Sequence, residues 1–284
     1  MLRPSIPPHE KEFYMKKRIL AGLLAGLLVL SLSACTKSDP TPSGSPSAEP
    51  TPSAVPTPSA EPTPTPTPAQ PPVWTEQTFA RTFTAGDGTT VLSVEYILPM
   101  VQNTDDCPAG TAINDWYKKE GSALLTGAED NYETAISDYE VSKAAGYTFT
   151  ATAEKMNYEV TYADNMVYSI RRTWNVTGGM PYPSTFTVAE QFDAQTGIKL
   201  GFADLFSDAD KVQDRVIAAF LKQDEIVAGQ FTEAQLIAVY QPENFCLTED
   251  GYTFWIQGND LPALHSPVEV TLSYDSMKDV SLRG

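Results

Sequence analysis

The chain is poor in the residues that bind metals and serve as catalytic bases. Its 284 residues include two histidines and three cysteines. His9 precedes a predicted signal peptide, so the mature protein is expected to keep His265 as its one histidine. One histidine argues against multi-histidine zinc or iron sites, and three cysteines argue against cysteine-rich zinc modules. We therefore expect no metal and no cofactor.

Basic residues are also scarce. From Val73 to the C-terminus the sequence has 31 acidic and 13 basic residues, a formal net charge of −18. Such a surface repels phosphate backbones, which argues against nucleic acid as a partner. The same charge keeps a domain soluble, and it would attract a strongly basic protein over long distances.

The N-terminus has the features of an export signal. A basic segment, Met15-Lys16-Lys17-Arg18, precedes an apolar run over residues 19–32. This run of 14 residues is shorter than the roughly 17–25 that span a bilayer, so residues 1–34 are predicted to be a signal peptide. The residues Leu32-Ser33-Ala34-Cys35 resemble the bacterial lipobox, which implies a diacylglyceryl group on Cys35. An ordinary signal peptide with a chance cysteine is the alternative. With lipidation, the protein would be anchored to the outer face of the bacterial cell membrane.

Residues 35–72 have the composition of a tether. Thirteen of the 23 prolines lie between Pro40 and Pro72, alternating mainly with Thr, Ser, Ala and Glu. Because proline fixes φ and excludes helix, this segment favours polyproline II. We interpret it as a spacer; a ligand for a proline-binding module is the alternative.

The remaining residues show both strand and helix patterns. Strands are predicted over residues 78–84, 89–98, 147–153 and 184–192, with hairpin turns at 163–165 and 250–251. A helix is predicted over residues 111–136, in two pieces because Gly121 and Gly127 interrupt it. Further helices are predicted to begin at Ser207 and at a Thr232–Gln235 capping box.

Strands come in runs with helices between them, without βαβ alternation. This order predicts an α+β fold with antiparallel sheets and a few packed helices. We expect either one large domain or two lobes, an N-terminal α+β lobe over residues 73–160 and a C-terminal α+β domain over residues 161–284.

The order of motifs over about residues 89–281 resembles a known pair of extracellular domains. Thr177-Gly178-Gly179 is followed by Asp193, by Thr196-Gly197 and by Asp204-Leu205-Phe206. This pattern is similar to that of RsiV-type anti-sigma factors and PdaC-type peptidoglycan deacetylases. In RsiV-type proteins the region binds lysozyme, and in PdaC-type enzymes a separate deacetylase domain does the catalysis.

Two departures limit what the resemblance implies. Residues 180–183 are Met-Pro-Tyr-Pro, where the family usually has a histidine. Neither a deacetylase domain nor a cytoplasmic sigma-binding segment occurs in this sequence. The resemblance therefore implies only the binding part of the function.

Two sets of residues are candidates for a role beyond the core. Gly178, Gly179 and Tyr182 form a candidate ligand loop, since two glycines permit close backbone approach; a tight strand connection is the alternative. Cys107 and Cys246 are either two free thiols or one disulfide that joins early and late parts of the domain.

Other candidates have ordinary structural explanations. Asp204, Asp208 and Asp210 suggest a calcium loop, but the glycine and the final acid of an EF-hand are missing. Residues 193–197 are expected to form an Asx turn closed by Asp193. His265 is expected to be a surface residue.

Three functional hypotheses follow. The first is a non-catalytic surface lipoprotein that binds an extracellular protein or wall ligand, with lysozyme or another basic wall-active protein as the named partner. The second is a module that binds peptidoglycan or another glycan, which would be favoured if Trp174, Tyr182 or Trp255 were exposed in a groove. The third is a wall hydrolase that uses a carboxylate pair. Because acidic residues are abundant, such pairs are inevitable and uninformative, and we expect no catalysis.

Overall fold

The computed structural model describes residues 70–179, 182–262 and 264–283. All of them belong to one compact unit, Thr67–Gly284. The predicted signal peptide, Cys35 and nearly all of the proline-rich segment lie outside the described residues. Within the described part, no helix is both long enough and apolar enough to cross a membrane.

The fold is α+β, as predicted. The elements are β1 (Trp74–Thr84), β2 (Thr90–Val101), α1 (Gly110–Ala145), β3 (Thr152–Ala163), β4 (Val167–Thr177), β5 (Ser184–Asp193), β6 (Lys199–Leu200), α2 (Phe202–Leu205), α3 (Ala209–Phe220), α4 (Asp224–Ala228), α5 (Glu233–Val239), β7 (Phe245–Thr248), β8 (Gly251–Ile256), β9 (Val268–Leu272) and α6 (Tyr274–Met277). Strands β1 to β6 form one sheet in sequence order, and β7 to β9 form a second.

The larger sheet is mixed rather than purely antiparallel. Strand β2 pairs with β3 in parallel, whereas the other neighbouring pairs are antiparallel. The cause is α1, which carries the chain from the end of β2 back to the start of β3. A long crossover of this kind is what a parallel pair requires, and a hairpin cannot provide it.

Helix α1 is longer and more regular than predicted. It runs unbroken for 36 residues, so the predicted interruption at Gly121 and Gly127 is wrong. Gly121 lies against the ring of Phe79, which a Cβ would meet at 2.3 Å. This glycine therefore serves close packing of the helix on the sheet. The predicted strand over residues 147–153 is also wrong in its first part, since β3 begins at Thr152.

The structure has two separate hydrophobic cores. One core lies under α1 and contains residues such as Leu92, Tyr96 and Ile113. The other lies between the second sheet and the short helices and contains residues such as Phe206 and Phe254. The predicted boundary between residues 160 and 161 falls inside β3.

Two helix starts test the predictions of capping. The capping box of Thr232 and Gln235 is confirmed, because each side chain accepts from the backbone N–H of the other residue. The predicted cap at Ser207 is wrong. Asp208 caps α3 by accepting from the N–H of Lys211, and the Ser207 hydroxyl instead donates to the carbonyl of Val280 at 3.1 Å.

Candidate binding surface

The chain joins the larger sheet at one end of its strands. The backbone N–H of Val73 donates to the Asn103 side chain at 2.7 Å, and the Asn103 amide donates to the carbonyl of Pro71 at 2.9 Å. Strand β1 then begins opposite the last residue of β2. The proline-rich segment therefore leads into this end of the sheet.

Four segments lie at the opposite end, which we call the distal end. They are residues 85–89, 146–151, 178–183 and 257–267, of which all but Met180, Pro181 and Ala263 are described. The first two segments are joined through α1. Tyr139 and Lys143 of α1 each bond to Asp87 at 2.5 Å, and Phe149 packs edge-on against Tyr139. The candidate loop predicted from sequence thus faces away from the point where the chain enters the sheet.

Gly178 and Gly179 have a clear backbone role at the distal end. Both have positive φ, 72° and 63°. A Cβ on Gly178 would lie 2.2 Å from the carbonyl oxygen of Ala151, and one on Gly179 would lie 2.4 Å from the Thr152 hydroxyl. Only glycine fits these positions, because they combine a left-handed backbone with close approach to a neighbouring segment. The two glycines let the chain pass close to Ala151 and Thr152 at the end of β4.

Tyr182 forms an exposed aromatic pair with His265. The Tyr182 side chain is 63% exposed. Its ring stacks on the imidazole of His265, with centroids 5.0 Å apart and planes inclined by 25°. Sequence analysis singled out both residues but did not connect them, since the loops that carry them are far apart in the chain. The Tyr182–His265 pair is an exposed aromatic feature of the distal end.

The loop that carries His265 is held firmly on β5. The Gln257 side chain accepts from the N–H of Thr187 at 2.9 Å and donates back to its carbonyl at 2.5 Å. Asn259, with φ of 71°, donates to the Ser184 hydroxyl at 3.2 Å. The two Gln257 bonds occupy backbone groups of Thr187 that an open sheet edge would leave free, and together with the Asn259 bond they fix the loop on β5.

The three aromatic residues proposed for a glycan groove have different environments. Trp255 is 1% exposed, and its indole N–H donates to the carbonyl of Thr187 at 3.0 Å. Trp174 is partly buried and packs against Phe186. Of the three, Tyr182 is the exposed one.

The two cysteines of the globular part are free and buried. Cys107 belongs to the core under α1, whereas Cys246 lies on β7 of the second sheet. The alternative of two free thiols therefore describes the structure, and no disulfide joins them. Burial raises the pKa of Cys246 to about 11, so this thiol stays protonated and unreactive at neutral pH.

A buried ionic cluster joins α1 to the sheet. Arg172 Nη2 lies 2.5 Å from Glu190 and 3.0 Å from Glu120, and the Tyr117 hydroxyl donates to Glu190 at 3.0 Å. Burial disfavours the charged form of Arg172, but the two carboxylates outweigh it and hold its pKa above the usual range. The cluster thus brings two carboxylates together, both of them bound to one guanidinium.

A second buried carboxylate has no cation beside it. Glu154 is 3% exposed and accepts from the Tyr96 hydroxyl at 2.7 Å and from the Asn131 amide at 2.9 Å. Burial raises its pKa, and these two hydrogen bonds oppose the rise. The carboxyl group links β3 to α1 through neutral partners.

The aspartates considered for calcium have local structural tasks. Asp204 accepts from the backbone N–H of Gly201 at 2.9 Å, and Asp208 caps α3 and pairs with Lys211. Asp193 closes the predicted Asx turn by accepting from the N–H groups of Gln195 and Thr196. Among the described residues, no group of three or more acidic, histidine or cysteine side chains is arranged to hold a metal ion.

Comparisons with known proteins identify the fold but not a family. No protein-family model matches the chain, and no curated protein matches it. A DUF3298-family protein from Bacteroides fragilis has a similar structure, with a TM-score of 0.52 and 14% sequence identity over 74% of this chain and 93% of that chain. A DUF3298-family protein from Pseudomonas aeruginosa has a TM-score of 0.49 and 11% identity over 75% of this chain and 96% of that chain. The first likeness shows a shared fold with a domain of unknown function.

Proposed function

We propose that the protein is a non-catalytic lipoprotein of the bacterial cell surface that binds an extracellular protein, with lysozyme or another basic wall-active hydrolase as its ligand. The Tyr182–His265 pair carries this proposal, because it presents exposed aromatic surface on a firmly held loop. The resemblance of about residues 89–281 to the extracellular domain pair of RsiV-type proteins, which binds lysozyme, supports the choice of ligand.

The charge of α1 favours a basic ligand at the distal end. In its first half, Asp115 and Glu120 are balanced by Lys118 and Lys119. In its second half, acidic residues outnumber the single Lys143; they are Glu129, Asp130, Glu133, Asp138 and Glu140, all exposed. This second half ends beside the turn at Asp87. A basic protein would therefore be steered to the end that carries the aromatic pair.

Binding through the segments of Tyr182 and His265 would then cost little conformational entropy. Gln257 and Asn259 already fix the loop beside β5. A loop that is ordered before binding loses less conformational entropy in the complex. The predicted tether of 37 residues from Thr36 to Pro72 would reach on the order of 115 Å when extended, which lets the distal end meet ligands within the wall.

Calorimetric titration of the full chain in detergent with a basic lysozyme tests the proposal. We expect saturable binding at low salt that weakens as salt is raised. Tyr182→Ala should weaken it about tenfold, as expected for an aromatic anchor. The matched control is Tyr147→Ala, since Tyr147 is 74% exposed at the same end but has no partner ring in the loop. Absence of binding at low salt would refute lysozyme as the ligand.

Association kinetics test the steering step separately. Neutralising Glu133 and Glu140 to glutamine should slow association severalfold with little change in the dissociation rate. The control is the same number of neutralised acids on α4, Asp224→Asn with Glu225→Asn. Equal slowing by both double variants would mean that the overall charge acts, without preference for the distal end.

A further inference from the structure

A strip of polar side chains crosses the outer face of the larger sheet near its distal end. On this face Asn157 of β3 is opposite Thr173 of β4, and Lys155 is opposite Asn175, which is opposite Thr185 of β5. We call these five residues the polar strip. Lys155 and Asn157 are exposed and the other three are half-buried. The Thr185 hydroxyl donates to the Asn175 amide oxygen at 3.0 Å, so the strip is already ordered.

The polar strip begins where the second sheet ends. Farther from the distal end, the second sheet covers the same face, through Ser169 bonded to Leu247 and through Arg171 paired with Glu269. Thr187 is covered by Gln257. The strip is thus part of the β3–β5 face that the second sheet leaves open; Glu159 of β3, next to Asn157 on this face, is exposed as well.

Most members of the polar strip are uncharged, and their hydrogen-bonding groups are directional. Lys155 is its one charged member, and Glu95 lies 3.7 Å from its ammonium group. The remaining members offer amide and hydroxyl groups that both donate and accept hydrogen bonds. Protein interfaces instead centre on buried aromatic and apolar anchors, and the strip has none of these.

We propose that the polar strip, together with Tyr182 three residues before Thr185, binds a neutral glycan strand that carries N-acetyl groups. Amides and hydroxyls match the hydroxyl and acetamido groups of such a sugar chain. An exposed aromatic ring offers an apolar face to the C–H side of a sugar ring. Strands lie roughly 4.8 Å apart, so the strip is roughly 10 Å across and accommodates about two sugar rings.

The length of chain before the structure supports a wall glycan as the occupant. The described chain enters the larger sheet at residues 70–73, at the end opposite the strip. The predicted anchor at Cys35 and the predicted tether would keep the strip within reach of the wall polymer. This proposal rests on the strip and is separate from lysozyme binding, although both involve Tyr182.

Titration of the full chain in detergent with a soluble tetramer of β-1,4-linked N-acetylglucosamine tests the proposal. We expect saturable binding that Asn157→Ala or Asn175→Ala weakens severalfold, because each removes hydrogen bonds to the sugar. Tyr182→Ala should weaken it about three- to tenfold. Thr82→Ala, on the same face of the sheet at β1, and Tyr147→Ala are controls that should leave the affinity unchanged.

Two further measurements test whether the acetamido groups are recognised and whether glycan binding is separate from lysozyme binding. A glucose tetramer without acetamido groups should bind more weakly than the N-acetylated one. Asn157→Ala and Asn175→Ala should keep lysozyme affinity, since they lie outside the loops. No saturable binding of the N-acetylated tetramer overturns the glycan proposal, and so does equal loss in the control and strip variants.

Discussion

The two hydrophobic cores of the protein differ in their chemistry. The core under α1 encloses the charged side chains of Arg172, Glu190 and Glu154. The core between the second sheet and the short helices is an aromatic cluster in which Phe206 contacts Phe245 and Phe254. Stability of the first core therefore depends on pairing of charges as well as on filled volume, whereas stability of the second depends on filled volume.

The charged cluster under α1 has a different role from the aromatic cluster. A buried ion pair contributes little net stability, because desolvation offsets attraction, but losing one partner is costly. Here the partners come from both layers: Glu120 and Tyr117 belong to α1, while Arg172 and Glu190 belong to β4 and β5. We interpret the cluster as a device that fixes the position of α1 on the sheet.

The largest effect is expected for Arg172→Met. The substitution leaves Glu190 buried without a cation, which should lower the free energy of unfolding at neutral pH by about 3–5 kcal/mol. Denaturant unfolding of the full chain measures it. The matched control is Arg171→Met on the other face of β4, whose half-buried pair with Glu269 should be worth about 1 kcal/mol or less. Equal losses in the two variants would contradict the proposed difference between the buried cluster and the half-buried pair.

A smaller effect is expected for Phe206→Leu in the aromatic cluster. Phe206 is 4% exposed and packs against the rings of Phe202, Phe245 and Tyr252. Loss of ring contacts should lower the free energy of unfolding by about 1–2 kcal/mol. The loss should be independent of pH between 5 and 8, because no buried charge is involved. A clear pH dependence would show that the stability of the aromatic cluster is coupled to a titrating group and would contradict this expectation.

The smallest effect, and a gain, is expected for Glu154→Gln. Because burial raises the pKa of Glu154 in the folded state, the folded protein binds the proton more tightly than the unfolded chain. Wild-type stability should fall as pH rises from the ordinary glutamate pKa of about 4.3 through the raised value. The glutamine variant should lack this fall and be more stable at pH 8 by on the order of 1 kcal/mol. Parallel pH profiles of the two proteins would contradict the account.

Much of the fold could be predicted from sequence because local patterns determine it. Alternation marked β2 and β5, and the capping box at Thr232 marked the start of α5. The continuity of α1 could not be predicted, since Gly121 is justified by its contact with Phe79 on another element. The parallel pairing of β2 with β3 likewise depends on the tertiary position of α1, which returns the chain to the end of the sheet where β2 begins.

The candidate site was predictable only in part. Gly178, Gly179 and Tyr182 stood out as an unusual local sequence. The stacking of Tyr182 on His265 could not be foreseen, because it arises from docking of the loop of Gln257 onto β5. The one sequence feature of that loop that could have drawn notice is Asn259, a residue type that tolerates the positive φ it adopts there.

The most direct test of binding at the distal end is a hydrogen-exchange footprint of the full chain with and without a basic lysozyme. The account predicts slower exchange in residues 182–186 and 257–266, with no change in α4 and α5. Protection centred on α4 and α5, with none in the two loops, would contradict it.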